Sequence, residues 1–194
     1  MVVPANKTGR VAALELLIRL GADVKTDDVE GDCPIITCAQ YGDVQMLNML
    51  LAAGASANTC SGDGGFSPLT IACMGGHDDM ALALCKLSSK RTLRDKDGYE
   101  GQTAADCIIA PLARNWRNFS PLHLEVIAAV VLAGGPVEPQ NATAVLPAVL
   151  ARAKECPGER ARMTALASRL EKLAAGGDED DEGDEGDDDD GADE

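Results

Sequence analysis

Apolar and polar positions recur along this chain with a long period. Residues 17–25 read LIRLGADVK, and residues 50–58, 33 positions later, read LLAAGASAN. Each time a Leu-rich run closes on Gly-Ala and gives way to a polar turn. Within the runs the apolar residues keep helical spacing: Val11, Leu14, Leu17 and Ile18 in the first, and Leu47, Leu50 and Leu51 in the second. Shorter apolar segments precede the later runs. One follows Gly31 (GDCPIITCA), one follows Gly65 (GFSPLTIAC) and one follows Gly101 (GQTAADCI). The pattern predicts a short inner helix and a longer outer helix per period. One such pair cannot bury its apolar stripe alone, so the pairs must stack.

The punctuation supports this. Pro34 and Pro68 fall in a first helical turn, where a missing N–H costs nothing. Ser67 and Thr103 stand where a side chain can cap that turn. Gly42 and Gly76 are placed to end inner helices, and Gly21 and Gly54 to end outer ones. Together these signals resemble the ankyrin repeat, whose pattern runs roughly G-x-T-P-L-H-x-A-A-x-x-G-H, an apolar helix, then G-A-D-V-N. The resemblance covers about residues 9–138. It implies an all-α, ankyrin-like solenoid of about four helix-turn-helix repeats over residues 1–140. The first is partial (1–30), followed by 31–63, 64–100 and 101–140. The last carries an insertion near 113–121 and reaches its Gly134 ten residues late. Two Ala/Leu-rich helices, near 141–155 and 158–174, are expected to form a capping hairpin (141–175) with a polar outer face. Residues 176–194 are expected to be a disordered acidic tail.

Charge sharpens that division. The formal net charge is −15, yet 13 of the 32 acidic residues lie in the last 17 positions, which hold no Lys or Arg. The remaining 19 face 17 basic residues, a net of −2, so a basic footprint for nucleic acid is missing. No apolar segment has the length of a signal peptide or membrane span, which points to a cytoplasmic protein, with the nucleus as the alternative. Seven cysteines at scattered spacing suit buried thiols in a reducing compartment, not a zinc site. His77 occupies the Gly-His position of the repeat, where a structural hydrogen bond is its ordinary role, and His123 opens the last outer helix. No Ser, Cys or Thr has a recognisable base beside it, so no catalytic residue, metal or cofactor is assigned and an enzyme is not expected.

The resemblance also implies where a partner would bind: the residues flanking each repeat Gly and those ending each inner helix. These are Val29, Glu30, Asp32, Gln40 and Tyr41; then Asp63, Gly64, Phe66, Met74 and Gly75; then Tyr99, Glu100, Gln102, Ala110 and Pro111. Three of the five aromatic residues, Tyr41, Phe66 and Tyr99, fall among them, and the other two, Trp116 and Phe119, lie in the insertion. The candidate protein-binding set is therefore Glu30, Asp32, Gln40, Tyr41, Phe66, Met74, Tyr99, Glu100, Gln102, Trp116 and Phe119. The expected function is an adaptor or assembly subunit. An acidic-tail chaperone or decoy for a basic protein, and a regulatory piece of a larger enzyme, are the alternatives. The N-terminal edge reads as unfinished. Only Met1–Thr8, with Pro4 inside it, is available for a first inner helix before an outer helix near Arg10–Leu20. Another subunit or an upstream repeat is expected to cover that edge.

Overall fold

The structure, a computed structural model, describes residues 5–29, 31–62, 65–89, 92, 103–112 and 119–176, with the side chains of the first helix from Gly9 onward. Nine helices lie among the described residues: α1 (Ala5–Arg19), α2 (Pro34–Tyr41), α3 (Val44–Ala52), α4 (Pro68–Met74), α5 (Asp78–Cys85), α6 (Ala104–Leu112), α7 (Pro121–Leu132), α8 (Pro139–Glu155) and α9 (Arg160–Ala174). They form two layers. Helices α2, α4, α6 and α8 pack in sequence as the inner layer, and α1, α3, α5, α7 and α9 as the outer layer. Stacked in this way, the helix pairs form an all-α solenoid.

The local signals act as the sequence predicts. Ser67 Oγ accepts the backbone N–H of Thr70 at 3.1 Å, with Pro68 opening α4. Ser120 Oγ accepts the N–H of His123 at 3.1 Å, while His123 Nδ1 accepts the N–H of Ser120 at 3.0 Å, a reciprocal cap on α7. Asp43, absent from the sequence reading, caps α3 by accepting the N–H groups of Gln45 and Met46. The core is one continuous cluster from Val24 to Leu170, with Ile35, Ile36, Leu47, Leu50, Leu69 and Leu84 fully buried.

Helices α8 and α9 stack on α6 and α7 in the same two layers, so they extend the solenoid instead of closing it sideways. Their junction is pinned by Asp106, only 2% exposed. Its Oδ2 accepts Thr103 Oγ1 at 2.8 Å and the Thr103 N–H at 3.3 Å. Its Oδ1 accepts the Glu138 N–H at 3.0 Å and Asn141 Nδ2 at 2.8 Å, across the gap to α8. The outward side of α9 is polar, with Arg162, Thr164, Glu171 and Lys172 exposed.

Two expectations are corrected. The division into an inner stretch Met1–Thr8 and an outer helix near Arg10–Leu20 is not kept: α1 begins at Ala5 and runs through Gly9 to Arg19. On the α1 stripe, Leu14 and Ile18 pack against the core while Leu17 is 53% exposed, so stacking covers only part of the stripe. The cysteines are all thiols, but Cys60 is exposed and Cys156 half-buried, while the other five are buried. The acidic tail, most of the insertion and the turn after Ser89 fall outside the described residues, apart from Thr92, Phe119 and Ser120.

Candidate protein-binding surface

The inner helices end in a row. Gln40–Tyr41 close α2, Met74–Gly75 close α4 and Ala110–Pro111 lie at the end of α6, and all six residues are exposed. Tyr41 is 63% and Met74 59% exposed, large apolar surfaces for a globular chain. Tyr41 is held in place from α1: the Arg10 guanidinium lies 4.9 Å from its ring centroid.

His77 sets the geometry beneath this row. Its Nε2–H donates to the carbonyl of Gln40 at 2.9 Å, satisfying an acceptor at the C-terminal end of the preceding inner helix. The ring lies so close to Gly42 and Gly75 that a Cβ on either would sit 2.5 and 2.8 Å from it. The structural role expected for this residue is thus a bridge between successive repeats.

The sequence-predicted residues divide. Tyr41, Gln40 and Met74 stand open on the row. Phe66 is half-buried in its turn, where the Ser61 N–H donates to the Phe66 carbonyl and Ser61 Oγ accepts the Phe66 N–H. Asp32 is half-buried, its N–H donating to Asp28 Oδ1 at 3.0 Å. Phe119 is not an exposed anchor. It is 8% exposed and meets the His123 ring edge to face at a centroid distance of 6.5 Å, because the chain returns to the core one residue before Ser120 caps α7. Glu30, Tyr99, Glu100, Gln102 and Trp116 lie outside the described residues.

One constellation has the residue types of a nucleophilic triad. His123 Nε2 lies 3.0 Å from Asp78 Oδ2, and Ser120 Oγ is 3.4 Å from the same oxygen. The wiring is wrong for catalysis. Asp78 takes one ring nitrogen and the Ser120 backbone takes the other, so neither is left to receive the hydroxyl proton. The set fastens α7 to the start of α5. Among the described residues no three His, Cys, Asp or Glu side chains gather to hold a metal ion, and no helix is long and apolar enough to cross a membrane.

Comparison with known proteins agrees with this architecture. Residues 3–97 match ankyrin repeats in three copies, and this part of the chain is an ankyrin-repeat array. Over 86 residues, 44% of the chain, it is 31% identical to protein PhlB of Serratia liquefaciens. The aligned segment spans 38% of that relative's length.

Proposed function

We propose that this chain is a non-enzymatic protein-interaction module, an adaptor or assembly subunit, that recognises a protein partner along the row of inner-helix ends. The observation that carries this reading is the unbroken exposure of Gln40–Tyr41, Met74–Gly75 and Ala110–Pro111 on three successive helices. Ankyrin arrays are interaction modules, and a rigid stack fixes these tips at regular spacing. Tyr41 and Met74 act as anchors: truncating a central anchor costs about 2 kcal/mol of binding or more. By sequence, Tyr99 belongs to the same candidate set. A cytoplasmic or nuclear compartment suits five buried thiols. The N-terminal edge is covered by a further helical unit.

The test is capture from native lysate with mass spectrometry, using the intact chain, a Tyr41→Ala/Met74→Ala variant and a chain ending at Gly176. The expected outcome is a partner retained by the tail-less chain and lost by the double variant. Loss with the tail alone would favour the decoy for a basic protein, and retention by the double variant would refute the row as the binding surface.

A further inference from the structure

Helix α1 packs on α3, and among the described residues a groove of about 540 Å³ lies between α1, α2 and α3. Its walls have helical spacing. From α2 come Pro34, Thr37, Cys38 and Tyr41, at i, i+3, i+4 and i+7. From α1 come Arg10 and Leu14, and from α3, at the floor, Met46 and Leu50, each pair at i, i+4. Three helical faces at this spacing form the ridges and furrows that receive a fourth helix. The position is the one that an inner helix preceding α2 would hold.

The groove is also polarised. Asp27, Asp28 and Asp32 line it at the N-terminal end of α2, while Arg10 lies over Tyr41 at the other end. Asp32 Oδ1 is shielded from water and has no hydrogen-bond partner among the described residues, a state that costs free energy until a donor arrives. A helix lying parallel to α2 brings its unpaired N–H groups to the carboxylates and its carbonyl end to Arg10. We infer that this groove docks an amphipathic helix from a partner protein, apolar on one face, with Lys or Arg in its first turn, running parallel to α2. This deepens the interaction-module reading and rests on it, and the groove shares only Tyr41 with the exposed row, not Met74 or Ala110.

The probe is a synthetic amphipathic helix of about 14 residues, roughly 21 Å long, with Lys in the first turn and Glu in the last. Its control exchanges those charges. Binding to the full chain is read by fluorescence anisotropy. The expected result is that the Lys-first peptide binds about tenfold tighter than the Glu-first one at low salt, with the advantage shrinking as salt rises. Thr37→Arg fills the groove from an exposed position, so it should abolish binding without changing the thermal midpoint. Met74→Ala should leave peptide binding intact, which separates failure of the groove from failure of the exposed row. Equal binding of the two peptides, binding of neither, or undiminished binding to Thr37→Arg overturns the inference. So does a concentration-dependent dimer in sedimentation that Thr37→Arg dissolves, which would give the groove to a second copy. Binding seen only after removal of residues 1–4 would give it to the chain's own N-terminus and overturn it equally.

Discussion

Gly42 shows how one residue serves two constraints. It ends α2 with φ +65°, a left-handed conformation that side-chain-bearing residues adopt at a cost of roughly 1–2 kcal/mol. It also gives His77 room to reach the Gln40 carbonyl. Gly76 carries only the first constraint: φ is +68° and nothing lies within 4 Å of a built Cβ. Gly76→Ala is therefore expected to cost about 1–2 kcal/mol. Gly42→Ala should cost about 1 kcal/mol more, because the His77 bridge is displaced as well. Urea unfolding of both variants measures the difference, and equal losses would show that the bridge contributes nothing.

Among the elements, the α6–α8 junction depends most on a polar group. Asp106 receives four donors, two from Thr103 and two from residues 32 and 35 positions further on, and it and most of those donors are buried. Asp106→Ala orphans them together, at an expected cost of at least about 2 kcal/mol. The repeats contact only their neighbours, so the damage stays local. Amide exchange should accelerate across α8 and α9 while α2 and α3 keep their protection. Uniform acceleration along the whole stack would contradict the nearest-neighbour picture. Helix α1 is the opposite case, an element with few buried contacts. Leu16, Leu17 and Leu20 remain more than half exposed along it.

Across the whole molecule, stability should depend on alkali through the buried thiols. Burial pushes Cys85 up from 9.0 to about 12. Burial, with the nearby Asp43 carboxylate as a lesser cause, does the same to Cys38, whose Sγ also lies 3.1 Å from the Asp43 carbonyl. Between these values the unfolded chain loses the protons that the folded chain keeps. The contribution is thus fully present below pH 9 and drains away as pH rises from 9 toward 12. Denaturation midpoints measured from pH 8 to 11 should fall, and Cys38→Ser/Cys85→Ser should flatten the slope. At pH 8 a thiol reagent should label Cys60 first, since it alone is exposed among the described cysteines.

The period, the caps on α4, the turn glycines and the bridging role of His77 were legible in the residues themselves. The His77 bridge, which reaches back 37 positions, follows from the repeat pattern; the caps and turn glycines are short-range devices: a proline at a first turn, a hydroxyl three residues before an N–H, a glycine at positive φ. Such devices operate wherever the local chain permits them. What only the tertiary structure decided was which surfaces meet. Met1–Thr8 reads as the stretch left for a separate inner helix, yet α1 begins at Ala5 and runs on through Gly9. Phe119 reads like an exposed anchor in an insertion, yet the entry of α7 into the stack buries it. Asp106 looks like one more polar residue after Thr103 until α8 arrives with two donors for it. The groove beside α2 has no motif at all, since Arg10, Thr37 and Met46 come from three separate helices. Burial and cavities depend on distances between segments far apart in the chain, and no local pattern encodes those distances.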